Sequence, residues 1–140
     1  MPESLTGHLV VPVDDAEDAH ATATALQAYA VEKVTAVHVV EKGGGSLDTI
    51  PLEQAEQRAE EAFEAFREVI PDANTELTYH TDVVEGVFEV ATDREATAIA
   101  FHPRGGGRLT QFLSGDTALR LITDADRPVI ALPDPAEGGM

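Results

Sequence analysis

The chain has 140 residues, of which 43% are hydrophobic and 25% are charged, and it contains no cysteine. This length allows one domain with its own core, and the composition is too apolar for a disordered chain. The absence of cysteine excludes disulfides, thiolate metal sites and cysteine catalysis. We expect one folded domain over residues 1–133 and a flexible Pro/Gly-containing tail over residues 134–140.

The charge is strongly negative, with 26 acidic residues against nine Lys and Arg and a formal net charge of −17. Such a surface repels nucleic acid and anionic membranes, so neither is expected as a partner. Self-repulsion at this level weakens a compact fold in dilute buffer, whereas molar salt shortens the Debye length to about 3 Å and screens it. We therefore interpret the chain as an acidic cytoplasmic protein of an extreme halophile.

No apolar run approaches the ~20 residues of a membrane span. The first five residues lack the basic stretch and apolar run of a signal peptide. Both observations agree with a cytoplasmic location.

In the first half of the chain, strand-like apolar runs alternate with helical patterns. Residues 8–13 and 34–40 are β-branched and nearly all apolar, which is typical of strands buried on both faces. Between them the apolar spacing predicts a helix whose inner face is Ala16, Ala19, Ala23, Leu26 and Ala30.

Pro51 suits the first turn of a second helix, and Pro71 ends it. The predicted inner face of this helix consists of Leu52, Ala55, Ala59, Ala62, Phe63, Phe66, Val69 and Ile70. Its other face carries six glutamates, which we interpret as a solvated surface: Glu53, Glu56, Glu60, Glu61, Glu64 and Glu68.

The second half continues the alternation. Residues 75–80 place Leu77 and Tyr79 on one side, which indicates an edge strand. The remaining predicted elements are a short helix near 84–92, a strand at 97–101, a helix around 113–123 and a last strand at 129–132. Five strands alternating with helices predict an α/β fold, a single open and mostly parallel sheet with helices on both faces.

In such sheets, ligands bind beyond the carboxyl ends of the strands, where the strand order reverses. The loops to consider are therefore residues 14–17, 41–45 and 102–116.

Four segments of the chain are similar to the universal stress protein family. They are Val10-Val11-Pro12-Val13-Asp14 with the following Asp15-Ala16-Glu17-Asp18-Ala19, then His38-Val39-Val40, Val83-Val84-Glu85-Gly86 and Arg127-Pro128-Val129-Ile130-Ala131-Leu132. Each segment is a weak signal, but their order and spacing over nearly the whole chain are fairly specific. The resemblance implies the strand order 3-2-1-4-5 of an adenine-nucleotide α-hydrolase-like fold. It also implies a homodimer formed through the last strand (Val129, Ile130, Ala131 and Leu132).

The glycine motif of the ATP-binding members of this family, G-x2-G-x9-G followed by Ser or Thr, is only half present. Gly105 and Gly115 match it, while His102 occupies the first glycine position and Asp116 the Ser/Thr position. His102 adds a side chain where the family has glycine, and the Asp116 carboxylate would repel a phosphate bound next to it. Two like charges ~4 Å apart cost about 1 kcal/mol in water and about 4 kcal/mol at an effective dielectric of 20.

Other groups on the same loop could offset this repulsion. Arg104 and Arg108 lie there, and a Mg²⁺ shared by Asp116 and a phosphate would reverse its sign. The motif therefore predicts weakened binding of ATP or AMP, with Mg²⁺ as a companion ion.

The resemblance assigns roles to individual residues. Val13, Asp14 and Val40 would flank the base and ribose, and His102 would line the pocket. The phosphates would face Arg104, Gly105, Gly115, Asp116 and Thr117.

Two of these acidic residues also have a simpler interpretation as helix-terminal residues. Asp14 follows a strand and precedes a helix, where an aspartate is usually the N-cap. Because Ala16 stands where the family has serine, either Asp14 or Asp15 should cap that helix. Asp116 would likewise suit the positive end of a helix dipole.

Several other site classes find no support. The histidines (His8, His20, His38, His80 and His102) show no metal-ligand spacing, and His38 is interpreted as a hydrogen-bonded residue of the sheet. Neither Gly43-Gly44-Gly45 nor Gly105-Gly106-Gly107 extends to G-x-G-x-x-G or a P-loop. Ser4, Ser46 and Ser114 lack a nucleophile-elbow context.

Three functions follow from these observations. The first is a homodimeric stress-response regulator that binds an adenine nucleotide weakly. The alternative is a nucleotide-independent protein-interaction member of the family, whose crevice is closed by His102 and Asp116. A slow ATP hydrolase is the third, although the residues that phosphoryl transfer requires are not evident and no catalytic residue is predicted.

Overall fold

A computed structural model describes residues 4–41, 52–103 and 115–133. The strands are β1 (Leu9–Pro12), β2 (Val34–Glu41), β3 (Asn74–His80), β4 (Ala98–Phe101) and β5 (Val129–Ala131). The helices are α1 (Ala16–Leu26), α2 (Leu52–Val69), α3 (Val83–Asp93) and α4 (Gly115–Thr123). The predicted elements are confirmed, with small shifts at their ends. The predicted tail at residues 134–140 lies outside the described residues.

The five strands form one parallel sheet in the order β3-β2-β1-β4-β5. β1 is central and pairs with β2 (Val10 with Thr35) and with β4 (Val10 with Ile99). The strand order therefore reverses between β1 and β4. β3 stands at one edge, as its alternating pattern predicted, and β5 stands at the other.

One face of the sheet is covered by α1 and α2. Its core contains many alanines, which let the two helices approach the sheet and each other closely. Phe66 and Leu26 are the largest fully buried side chains contributed by these helices. The second face is covered by α3 and α4, where Val87, Phe101 and Leu121 belong to a separate apolar cluster. Helices on both faces of a parallel sheet confirm the predicted fold class.

Gly86 allows α3 to lie close to the sheet. A Cβ at this position would stand 2.9 and 3.0 Å from the two methyl carbons of Val39 and 3.3 Å from the Cβ of His80. Both neighbours belong to strands on which α3 packs. The glycine of the Val83-Val84-Glu85-Gly86 segment therefore has a packing role.

We expect Gly86→Ala to lower the free energy of unfolding by about 1–2 kcal/mol, because overpacking outweighs the helix propensity that alanine adds. In a Val39→Ala background the methyl groups are gone, so the same substitution should be neutral or stabilising. Chemical unfolding of the parent, the two single variants and the double variant tests whether Val39 is the side chain that a Cβ at position 86 would meet. Equal destabilisation in both backgrounds would contradict it.

Two details of the predicted inner faces are wrong. Leu52 is 54% exposed, because it is the first residue of α2 and lies beyond the part of the helix that covers the sheet. Ala30 is exposed because α1 ends at Leu26. On the glutamate face of α2, Glu56 is half-buried and accepts a hydrogen bond from the Tyr79 hydroxyl, whereas the other five glutamates are exposed as predicted.

Candidate functional site

The carboxyl ends of β1, β2 and β4 meet at the edge of the sheet where the strand order reverses. Extending the registers Pro12 with Val37 and Val10 with Ile99 to the next residues places Val13 between His38 and His102. All three residues are buried, with 2%, 7% and 2% of their surfaces exposed, respectively. A row of two imidazoles and one valine therefore lies beneath the crevice between β1 and β4.

His38 fixes the end of β1. Its Nδ1 lies 3.0 Å from the carbonyl oxygen of Val13. Because a carbonyl can only accept, Nδ1 carries the proton and donates. Burial lowers the pKa of His38, although the hydrogen bond to Val13 opposes this, so the ring is neutral. The prediction that His38 is a hydrogen-bonded sheet residue is confirmed.

Asp14 follows Val13 at the mouth of the crevice. Its backbone N–H donates to Oδ2 of Asp18 over 2.7 Å. Its carboxylate lies 3.7 Å from the guanidinium of Arg58 on α2, with part of each side chain exposed. A partly exposed pair of this kind contributes at most about 1 kcal/mol, so a ligand could displace or share it at small cost.

The N-cap of α1 is Asp15. Its Oδ1 accepts a hydrogen bond from the backbone N–H of Asp18 over 2.9 Å. Asp14, the other aspartate that could have capped this helix, therefore does not cap it. Its carboxylate instead faces Arg58 across the mouth of the crevice.

Asp18 is a buried ionisable residue that the sequence analysis missed. Its side chain has no exposed surface and accepts hydrogen bonds from the Asp14 amide and, over 3.1 Å, from the Thr22 hydroxyl. Burial raises the pKa of Asp18 to about 7, and these hydrogen bonds oppose the rise only in part. Its position three residues after Asp15 and four before Thr22, on the buried side of α1, was the available signal.

Arg58 was also missed. It lines an open cleft of about 340 Å³ between the start of α1 and the first half of α2. The residues around this cleft are Asp15, Ala16, Glu17, Gln54, Gln57, Arg58 and Glu61. Through its ion pair with Asp14, Arg58 connects this cleft with the mouth of the crevice.

Asp82 joins α3 to α4 at the same end of the sheet. As the N-cap of α3, it accepts from the Val84 and Glu85 amides through Oδ1, and its Oδ2 accepts from Arg120 of α4 over 2.9 Å. Burial alone would raise the pKa of Asp82, but the ion pair with Arg120 and the two amides outweigh it and lower the pKa. The pair helps to set the position of α4, the helix that begins at Gly115.

We expect Asp82→Ala to lower the free energy of unfolding by about 1–2 kcal/mol at neutral pH, through loss of the cap and of the Arg120 partner. Asp82→Ser is the matched variant, because serine keeps the cap but cannot pair with a guanidinium. The stabilisation by Asp82 is present above the ordinary aspartate pKa and is lost as the pH falls through the lowered value. Equal stability of all three proteins in urea titrations would show that neither contact contributes.

The predicted site residues are only partly described. Val13, Asp14, Val40 and His102 lie at the ends of neighbouring strands; Val40 is buried like Val13. Arg104 and Gly105 are outside the described residues, as is Arg108. Gly115, Asp116 and Thr117 form the first residues of α4, but their side chains are outside the described part. The phosphate end of the site therefore stays a prediction.

Within residues 4–41, 52–103 and 115–133, no group of three or more histidine or acidic side chains is arranged to hold a metal ion. Over the same residues, no helix has the length and apolar character needed to cross a bilayer.

The fold and the position of the crevice define a class of protein, the open α/β folds with a five-stranded parallel sheet in the order 3-2-1-4-5. Residues 6–133 match the sequence model of the universal stress protein family. The chain belongs to this family.

Three solved structures illustrate the likeness. The universal stress protein from Archaeoglobus fulgidus in complex with dAMP is 22% identical, with a TM-score of 0.61 over 92% of this chain and 99% of that one. The universal stress protein UspA from Lactobacillus plantarum is 22% identical, with a TM-score of 0.62 over 93% and 99% of the two chains. A universal stress protein in complex with cAMP is 15% identical, with a TM-score of 0.64 over 94% and 100%.

At these identities, the solved structures support the fold alone. Among curated protein sequences, none matches the chain.

Proposed function

We propose that this chain is a stress-response regulatory module that binds an adenine nucleotide weakly in the crevice beyond β1 and β4. Membership of the universal stress protein family supports the regulatory role. The observation that carries the proposal is the site itself: Val13, Asp14 and Val40 lie at the carboxyl ends of strands where the strand order reverses. Family structures in complex with dAMP and with cAMP support the same ligand class.

In this proposal the base and ribose lie against Val13, Asp14 and Val40. The phosphates face the start of α4 (Gly115, Asp116 and Thr117) together with Arg104 and Gly105. A Mg²⁺ bound with the nucleotide would supply positive charge between Asp116 and the phosphates. We place this activity in the cytoplasm of a cell with high internal salt, where screening favours an acidic protein and its anionic ligand.

The first test is calorimetric titration of ATP–Mg²⁺ into the purified protein in about 2 M KCl, after bound nucleotide has been removed. We expect weak but saturable binding. Asp14→Asn should weaken it, whereas Asp72→Asn, which changes an exposed carboxylate in the turn before β3, should not. Absence of heat from folded protein would overturn nucleotide binding.

A second candidate is a nucleotide-independent protein-interaction function. It is favoured by the burial of His102, whose side chain fills the row beside Val13 where the family motif has glycine. Under this alternative His102 closes the crevice, and removal of the Asp116 charge leaves ATP affinity unchanged.

We also propose that the protein is a homodimer formed through the β5 edge. In the described residues β5 pairs with β4 alone, and Leu119 and Ile122 of α4 are 57% and 54% exposed. Of the four predicted contact residues (Val129, Ile130, Ala131 and Leu132), Leu132 is buried and Ile130 packs on the α1/α2 core, whereas Ala131 is exposed.

We expect Ala131→Glu to convert the dimer into a folded monomer, because a charge at an exposed edge position opposes pairing with a second strand. Sedimentation velocity measures the change in mass. Ala30→Glu, at an exposed alanine after α1, is the matched control. A dimer that persists in Ala131→Glu would place the interface elsewhere.

A further inference from the structure

The segment from Val13 to Asp15, called the crevice loop below, is held by side chains from three different elements. His38 of β2 donates to the Val13 carbonyl oxygen. Arg58 of α2 pairs with the Asp14 carboxylate, and Asp18 of α1 accepts from the Asp14 amide. The ion pair is 3.7 Å long and partly exposed, whereas the hydrogen bond to Asp18 is 2.7 Å long and is accepted by a carboxylate that is itself fully buried. Asp18 therefore provides the stronger constraint on Asp14.

The bond between Asp18 and the crevice loop is reciprocal. Asp18 accepts from the Asp14 amide through Oδ2, while its own amide donates to the Asp15 carboxylate. The second carboxylate oxygen of Asp18 accepts from Thr22, one turn further along α1. This arrangement fixes the direction in which the chain leaves β1, and with it the position of the Asp14 carboxylate.

We propose that Asp18 is a positioning residue, which holds Asp14 at the mouth of the crevice and thereby sets the affinity of the crevice for an adenine nucleotide. The inference rests on the proposed function, in which Asp14 contacts the base or ribose. It adds a residue that does not touch the ligand but controls the group that does.

The charge on Asp18 determines how strongly it holds the loop. An ionised carboxylate accepts a short, charge-assisted hydrogen bond from an amide, and a protonated carboxyl accepts a weaker one. Burial, and to a lesser extent the neighbouring Asp14 and Asp15 carboxylates, favours the protonated form of Asp18, whereas the hydrogen bonds from the Asp14 amide and the Thr22 hydroxyl favour the ionised form.

Among the described residues, the charged and titratable groups that face the crevice loop from other elements include His38 of β2, Arg58 of α2 and His102, which follows β4 and lies beside Val13. Burial keeps His38 neutral by lowering its pKa. Asp18, whose pKa is raised to about 7, changes its charge as the pH rises through neutrality. The hydrogen bond from the Asp14 amide to Asp18 should consequently become stronger as the pH rises through this range.

The positioning role can be tested without any ligand, by recording amide proton and nitrogen shifts of the ¹⁵N-labelled protein from about pH 5 to about pH 9. We expect the Asp14 amide proton to move downfield with rising pH, with a midpoint near 7. The titration should vanish in Asp18→Asn and persist in Asp72→Asn. An Asp14 amide shift that does not respond to pH in this way, or responds equally in Asp18→Asn, would overturn the inference.

The ligand half of the inference is tested by titrating ATP–Mg²⁺ into three proteins. Asp18→Asn keeps an oxygen acceptor for the Asp14 amide, so its affinity should stay within about threefold of the parent and lose its pH dependence between about pH 6 and pH 8. Asp18→Ala removes the acceptor and should bind about tenfold more weakly. Circular dichroism establishes that each variant is folded.

The outcomes separate the two proposals. If folded Asp18→Ala binds ATP as tightly as the parent, Asp18 does not set affinity and the inference fails while the proposed function stands. If the parent protein does not bind ATP, the proposed function fails and the ligand half of the inference fails with it. The amide titration then still decides whether Asp18 positions Asp14.

Discussion

Asp18→Asn is expected to be more stable than the parent protein above about pH 7, and close to it in stability near pH 4. The parent must bury a carboxylate at high pH, whereas the amide of asparagine is neutral at every pH. Burial raises the pKa of Asp18 to about 7, so the folded state holds a proton that the unfolded chain releases near the ordinary aspartate pKa. The stability that this proton provides is complete at low pH and is lost as the pH rises towards 7.

The size of this effect follows from the pKa shift. Each tenfold change in proton affinity corresponds to ~1.4 kcal/mol, so the difference between the two proteins should change by about 4 kcal/mol between about pH 4 and about pH 8. Urea unfolding at constant salt, followed by circular dichroism, measures it. Carboxylates with lowered pKa values, such as Asp82 and Asp126, stabilise in the opposite direction, but they are common to both proteins and cancel.

Asp72→Asn serves as the control for Asp18→Asn, because the Asp72 side chain is exposed. Its stability relative to the parent should vary little over the same pH range. A difference between Asp18→Asn and the parent that stays constant with pH would show that folding does not shift the pKa of Asp18, and would contradict this prediction.

Asp116→Ser is expected to raise the affinity for ATP by about 1–3 kcal/mol, which is roughly five- to 150-fold. α4 begins at Gly115, so position 116 lies in its first turn, where backbone amides and the helix dipole favour an anion. An aspartate there supplies an anion of its own, while serine restores the hydroxyl of the family motif. Calorimetry in about 2 M KCl and again at lower salt should show a larger gain at the lower salt, since screening is weaker there.

Asp116→Asn separates the effect of removing the negative charge from the effect of adding a hydroxyl, because asparagine does only the first. If repulsion is the main cost, Asp116→Asn should recover most of the gain seen with serine. No gain in either variant would favour the closed-crevice alternative, and Asp116→Ser combined with His102→Gly should then restore binding. If the double variant also fails to bind, His102 is not the obstacle.

Much of the fold could be predicted from the sequence, since strand and helix periods alternate clearly. The β-branched runs around Val10 and Val37 indicated buried parallel strands, and alternation at Leu77 and Tyr79 placed β3 at an edge. The strand order itself came from resemblance to a family, because periodicity does not encode which strands are neighbours. The error at Leu52 arose because an apolar residue at the first position of a helix fits the pattern without reaching the core.

The site was harder to predict, because its contacts depend on burial and on residues far apart in the chain. Asp18 resembles an ordinary acidic residue in the first turn of a helix, and only the structure places it beneath the crevice loop. The pairs between Arg58 and Asp14 and between Arg120 and Asp82 join different elements at sequence separations that no local motif specifies. Val13, Val40 and His102 lie at or just beyond strand ends, as the apolar runs 8–13, 34–40 and 97–101 indicated, and their part in ligand binding stays a prediction.

The order of strands in the sheet has a consequence for how the protein folds. The first three strands lie within the first 80 residues and are neighbours, whereas β1 meets β4 through residues as distant as His8 and Thr97, 89 positions apart. Closing so long a loop is entropically costly and slow, so during synthesis the β1–β2–β3 half can pair while β1 is still an open edge. The crevice is then completed only when β4 docks. A molecule bound there would hold the two halves together, and would act by slowing unfolding rather than by speeding folding.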